Sequence, residues 1–157
     1  PGLSQGGFFM IAIGSDHAGY ELKTEIIEFL KQKGYEIRDY GTCDCNSVDY
    51  PDYGMAVAEA VKDGICEKGI VICGTGIGIS IAANKVPGIR AAVCNDTYSA
   101  RMSREHNDAN ILSLGARVVG LGLALDIVDV WLRSEFQGGK HKKRVDKIAA
   151  IEKKYNK

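Results

Sequence analysis

The stretch GIVICGTGIGIS, Gly69–Ser80, joins an apolar run of strand length to a cysteine and a glycine-spaced turn that opens a helix. Ile70, Val71 and Ile72 are β-branched, the pattern of a strand covered on both faces in a parallel sheet. Cys73 falls at its carboxyl end. Gly74, Gly76 and Gly78 then allow a tight turn that brings backbone N–H groups close to a ligand. The helix expected over Ile79–Lys85 points its positive end at the same place. A thiol and an anion cradle are thus expected side by side.

Upstream of this stretch, Met10–Gly14 is a short apolar strand, and Leu22, Ile26, Phe29 and Leu30 recur at helical spacing until Gly34. Tyr35–Tyr40 suits a second strand whose charged residues place it at or next to the edge. Gly41–Tyr53 is the longest irregular stretch and a candidate wall of a site; Met55–Lys62 resumes as a helix. Downstream, residues 87–90 (PGIR) form a turn before a strand at Ala91–Cys94, a polar helix at Thr97–Glu105 and a strand at Asn110–Leu114. Gly120–Phe136 reads as a helix with Leu121, Leu125, Val128 and Leu132 on one face, ended by Gly138 and Gly139, and a last helix runs from Lys140 towards Lys154. Five strands alternating with helices predict a parallel, doubly wound α/β sheet with its ligand beyond the carboxyl ends of the strands.

The chain has 157 residues, enough for one domain, and Lys plus Arg equals Asp plus Glu at 20 each. No global field therefore favours nucleic acid or an acidic membrane surface, and charge-based recognition must be local. Five cysteines (43, 45, 66, 73 and 94), without a CxxC pair, a zinc-finger spacing or a secretory leader, suit the reduced cytoplasm. No apolar run approaches the roughly 20 residues of a membrane span. Residues 1–9 (PGLSQGGFF) read as a leader left over from expression, and residues 10–157 as a single domain.

Several groups of residues carry chemistry. GSDHAG places Asp16 and His17 at the same carboxyl edge as Cys73. Asp16 stands where a dinucleotide fold needs its second glycine, so its side chain and charge argue against NAD, although Asp39 lies at a plausible ribose-binding distance. Taken alone, Asp16 is equally a helix cap and His17 a surface histidine. The GTGIG turn alone is a weak sign, because glycine there also serves strand–helix packing. A thiol beside a helix N-terminus is a setting in which thiolate forms and acts as base or nucleophile, and turn amides can stabilise a developing oxyanion. Cys66 and Cys94 are expected to be buried and inert. In SREHNDAN, His106 is either part of an exposed helix end or a general acid with Asn107 beside it. Because His106 precedes the fifth strand it belongs at the amino edge, so joint action with Cys73 requires a second subunit. GGKHKKR gathers Lys140, His141, Lys142, Lys143 and Arg144, with Arg117 following the fifth strand. This is either a solvated basic face or the cation set for a single phosphate.

In order along the chain, GSDHAG, DYPDY, ICGTGIGISIAANK, GIRA, SREHNDANIL, GARVVG and GGKHKKRV resemble the type B ribose-5-phosphate isomerases, in the wider family that includes the galactose-6-phosphate isomerase subunits. The resemblance implies a Rossmann-like three-layer α/β/α sandwich. It also implies a homodimer, sometimes paired into tetramers, and no metal or organic cofactor. The implied reaction interconverts D-ribose 5-phosphate and D-ribulose 5-phosphate through an enediolate, with Cys73 as the base between C1 and C2 and His106 as the acid that helps open the furanose ring. Asp16, His17, Gly74, Thr75, Gly76, Ile77, Gly78, Asn107, Arg117, Lys140 and Arg144 fall on the family's substrate-binding positions. Thr75 offers a hydroxyl to O1 or O2. One subgroup uses a glutamate six residues after the cysteine position; Ile79 stands there, which places the chain in the cysteine-based subgroup. Lys140 replaces an arginine common in relatives, exchanging a planar fork for a point charge.

Two other functions suit parts of this pattern. A six-carbon substrate, allose 6-phosphate or galactose 6-phosphate, fits if the 41–53 loop accommodates one more carbon. A non-catalytic sugar-phosphate-binding module would keep the cradle, but binding phosphate requires none of Cys73, Thr75 and His106.

Overall fold

Four short runs rich in Ile, Val, Leu and Ala, and one charged run, become the strands of one sheet in the computed structural model, which describes residues 9–156. They are β1 (Met10–Ser15), β2 (Glu36–Asp39), β3 (Lys68–Cys73), β4 (Ala91–Val93) and β5 (Ile111–Gly115). All neighbours pair in parallel, in the order β2-β1-β3-β5-β4. The charged β2 takes an edge, as its composition requires. The helices are α1 (Tyr20–Gln32), α2 (Tyr50–Lys62), α3 (Ile77–Ala83), α4 (Thr97–Glu105), α5 (Leu121–Arg133) and α6 (Lys140–Tyr155).

Period-two alternation divides the strand side chains between two cores. Ile11, Ile13, Ile70, Ile72, Leu112 and Leu114 face α1 and α5, together with Ala100 of α4. Ala12, Val71, Cys73 and Ile111 face α2 and α3. The result is the expected three-layer α/β/α sandwich. Helix α6 lies outside both cores. Two of its ties to the body are His141, stacked on His106, and Glu152, which accepts from Gly88 N at 2.9 Å.

Four boundaries or faces differ from the sequence reading. Helix α2 begins at Tyr50 rather than Met55, because Asp49 is extended and Pro51, with its preset φ, sits in the first turn. The DYPDY segment is therefore helix entry. Helix α3 begins at Ile77 rather than Ile79. Helix α5 buries Ala124, Ile127, Val128, Trp131 and Leu132, whereas Leu121 is 46% exposed. Of the expected stripe Val128 and Leu132 are buried and Leu125 packs against the core, but its start at Leu121 is replaced by a small alanine and a fully buried tryptophan. Finally, Phe9 is buried, its ring centroid 6.0 Å from that of Tyr35, and so belongs to the core. The rest of the proposed leader, residues 1–8, lies outside the described residues.

From β1 the chain passes to β2 on one side and then to β3 on the other. The crevice at the carboxyl ends of β1 and β3 is the point where the winding reverses, the place where such sheets bind ligands.

Candidate active site

Strand register assembles the carboxyl-edge cluster. Ser15 pairs with Ile72 and Cys73 with Gly115, so Asp16, Cys73 and the residues after β5 stand abreast. Backbone bonds continue the alignment past the strand ends: Asp16 N donates to Ile72 O (3.2 Å), Ala116 N to Cys73 O (2.9 Å) and Arg117 N to Gly74 O (3.0 Å). Asp16 is buried, and its Oδ1 accepts from Gly19 N at 3.2 Å, capping the 3-10 turn His17–Gly19 that leads into α1. His17 is half-buried, and its Nδ1 accepts from Val48 N at 3.2 Å.

Cys73 is 5% exposed, and its Sγ accepts the Gly76 N–H at 3.2 Å. Gly76 is the residue of this turn whose backbone requires glycine: its φ is +79°, and a Cβ there would lie 2.8 Å from the Leu114 carbonyl carbon. Ser113 Oγ donates to Gly76 O, bracing the turn from β5. Thr75 Oγ1 accepts from Ile77 N at 3.2 Å, which leaves its own proton free to donate. Among the described residues nothing accepts from the Gly74 and Thr75 N–H groups. Helix α3 is only seven residues long, so the unpartnered donors at this end of β3 are loop amides and not a long helix's N-terminus. The Arg117 guanidinium lies over Gly74, with Nη1 3.4 Å from where a Cβ would sit, and the Tyr50 ring lies over Gly78.

A second cluster occupies the opposite edge. His106 ends α4, its N–H donating to Met102 O at 2.9 Å, before the chain enters β5. Its imidazole stacks on His141 with ring centroids 4.0 Å apart and planes 10° from parallel. Lys140 and Arg144, one turn apart on α6, are exposed beside it. Loss of solvent around His141, and then the charges of His106, Lys140 and Arg144, hold its imidazole below the usual histidine range. Asn107 is exposed, with its backbone O accepting from Arg90 Nε at 3.2 Å.

The single chain thus brings together Asp16, His17, Cys73, Gly74, Thr75, Gly76, Ile77, Gly78 and Arg117. It places His106, Asn107, Lys140 and Arg144 elsewhere, with β5, about 13 Å at strand rise, between the two edges. Among the described residues no three His, Cys, Asp or Glu side chains converge as a metal site, and no helix is long and apolar enough to cross a membrane. The sequence reading missed Ser113, Val48 and Tyr50. Ser113 had a visible signal, a hydroxyl inside an apolar strand; Val48 acts through its backbone and had none.

The family described as Ribose/Galactose Isomerase matches residues 11–148. Ribose-5-phosphate isomerase B of Escherichia coli is 54% identical over 146 residues, covering 93% of this chain and 98% of that protein. The solved structure of Clostridium thermocellum ribose-5-phosphate isomerase B superposes with a TM-score of 0.94 at 72% identity, covering 94% of this chain and 100% of that one. That of Mycoplasma genitalium ribose-5-phosphate isomerase B with bound ribulose-5-phosphate gives 0.88 at 44% identity, covering 92% and 97%. By its sequence from strand β1 into helix α6 and by its fold, the chain belongs to the ribose/galactose isomerase family.

Proposed function

We infer that this chain interconverts D-ribose 5-phosphate and D-ribulose 5-phosphate. The observation that carries the reading is the Cys73 sulfur, held by the Gly76 N–H beside the unpartnered N–H groups of Gly74 and Thr75. An aldose–ketose shift needs a base that moves a proton between two adjacent carbons and donors for the enediolate oxygen that forms between the two transfers. Cys73 takes the C2 proton of the aldose and returns it to C1, while the O2 hydroxyl proton passes to O1. The amides of Gly74 and Thr75, with the Thr75 hydroxyl, receive the oxygen that becomes negative. Ile79, fully buried and unable to take a proton, leaves Cys73 as the base in this turn. Arg117 and His17 face the phosphate end of the sugar.

His106, Asn107, Lys140 and Arg144 complete the site from the partner subunit of a homodimer. The separation of the two clusters within one chain supports this arrangement. His106 of the partner subunit then exchanges the proton that opens the furanose ring, and Lys140 and Arg144 of the partner subunit add charge at the phosphate. No step calls for a metal ion, and the five free thiols suit the cytoplasm. The names of the relatives at 54% and 72% identity favour the five-carbon sugar over the six-carbon alternative.

The test follows ribulose 5-phosphate formation from ribose 5-phosphate with and without EDTA. Turnover unaffected by the chelator and abolished in Cys73→Ala is expected; wild-type rates in Cys73→Ala would remove the base. Mixing inactive Cys73→Ala and His106→Ala chains should restore partial activity, and no recovery would count against the shared site.

A further inference from the structure

We propose that Val48 is a positioning residue: its backbone N–H holds His17 as the tautomer protonated on Nε2, so that His17 meets the substrate phosphate as a neutral hydrogen-bond donor. The phosphate contact rests on the function proposed above. The bond from Val48 to His17 does not.

An amide N–H can be received only by a ring nitrogen with a free lone pair. His17 Nδ1 accepts from Val48 N at 3.2 Å, so Nδ1 carries no proton and the neutral ring carries it on Nε2. An imidazolium has no lone pair and would lose this bond. The half-buried ring therefore presents Nε2–H as its remaining donor. Net positive charge at the phosphate falls to Arg117 and to Lys140 and Arg144 of the partner subunit.

The loop is built to deliver that N–H. Where it leaves β2, Gly41 O accepts from Ser15 N (2.7 Å) and Thr42 N donates to Ser15 O (2.7 Å), one residue before Asp16. Asp39 Oδ1 accepts from Gly41 N at 2.9 Å and is held in turn by Lys23. At its far end the loop enters α2 at Tyr50. Between these anchors, residues 43–49 are exposed except Val48, which is half-buried at the point of contact with His17. Fixing a ring's tautomer through its second nitrogen sets which atom faces the ligand.

The test uses the full chain. Nitrogen-edited NMR of isotope-labelled, unliganded protein, with the His17 signals assigned by their loss in His17→Gln, should show a bare Nδ1 and a protonated Nε2. Val48→Pro deletes the N–H and should convert this to an averaged pair, raising the KM for ribose 5-phosphate about twofold, because only about half of the rings then present Nε2–H, with kcat little changed. Cys45→Pro stiffens the same loop without removing a bonded donor and should leave KM unchanged. His17→Gln, whose amide reaches the Nε2 position, should keep most of the phosphate affinity, whereas His17→Asn should fail as His17→Ala does. A protonated Nδ1 in wild type, or an unaltered tautomer and KM in Val48→Pro, overturns the proposal. Should Val48→Pro not fold, the wild-type tautomer and the Gln/Asn comparison decide. A wild-type KM in His17→Ala overturns the phosphate role alone, and a wild-type enzyme without turnover overturns the proposed function alone. In both cases the NMR signature still decides the Val48 contact.

Discussion

Lys23 Nζ lies 2.7 Å from both carboxylate oxygens of Asp39, with the lysine side chain 1% exposed and the aspartate 46% exposed. The pair ties α1 to the end of β2 and, through Asp39 and Gly41 N, to the turn beside Asp16. It also gives Asp39 a structural role in place of the ribose-binding one that its spacing invited.

Breaking this pair from the aspartate side should be worse than removing it whole. Asp39→Asn leaves the buried ammonium without its counter-charge. The cost for a fully buried pair is about 3–5 kcal/mol, and half-exposure of Asp39 reduces it to about 2 kcal/mol. Lys23→Met added to Asp39→Asn should recover much of that loss. Urea unfolding of the wild type and the two variants checks the order; a double variant no more stable than Asp39→Asn would contradict it.

The stacked His106–His141 pair predicts an acid-sensitive fold. With the native His141 value depressed below the ordinary 6.5, the unfolded chain binds more protons than the native one in the window between the two. Stability is therefore full above that window and falls as pH drops below 6.5 towards the native value. Melting temperatures should decline as the pH falls below 6.5, and more gently in His141→Gln. Equal slopes for the two proteins would show that His141 does not contribute.

The sheet was legible because four of its strands are short β-branched or aliphatic runs bounded by turn formers, and the fifth, the charged β2, has the composition of an edge. Asp16, His17 and Cys73 could be grouped for the same reason: they sit at the carboxyl ends of β1 and β3, and parallel strands end on one edge. The entry of α2 was hidden because DYPDY carries a proline, which reads as a break but is tolerated in a first turn. The buried face of α5 was misjudged because Ala124 and Trp131 outrank Leu121 in burial through tertiary packing, which no local period expresses. Val48 acts through a main-chain N–H that every residue except proline possesses.

The thiols should separate by reactivity. Cys43 and Cys45 are exposed, Cys66 and Cys94 buried. Burial, with a further push from Asp96 and against a Ser103 hydrogen bond, raises the Cys94 thiol to about 11, and burial also raises that of Cys66. Because thiolate is the reacting form, iodoacetamide at pH 8 should modify Cys43 and Cys45 first and leave Cys66 and Cys94 intact until the chain unfolds. Peptide mapping by mass spectrometry reads the order. Early modification of Cys94 in the native protein would overturn it.

Two glycine substitutions with opposite outcomes test whether the cradle is held as rigidly as its packing implies. A Cβ on Gly115 would lie 2.6 Å from Thr75 O and 2.7 Å from the Thr75 carbonyl carbon. These are backbone atoms and cannot turn aside, so Gly115→Ala must move either β5 or the Cys73–Gly76 turn. Because misplacing a reacting group by about 1 Å can cost about a hundredfold, kcat should fall at least tenfold, to about a tenth or less. Gly122, in the first turn of α5, has nothing within 4 Å of its Cβ position. Gly122→Ala should therefore stabilise the fold by about 0.5–1 kcal/mol through a less flexible unfolded chain and better helix propensity, with activity unchanged. Steady-state kinetics and thermal unfolding on both variants check this. Wild-type kcat in Gly115→Ala would mean that the turn yields easily, and that the Gly74 and Thr75 amides need no fixed position to serve the enediolate.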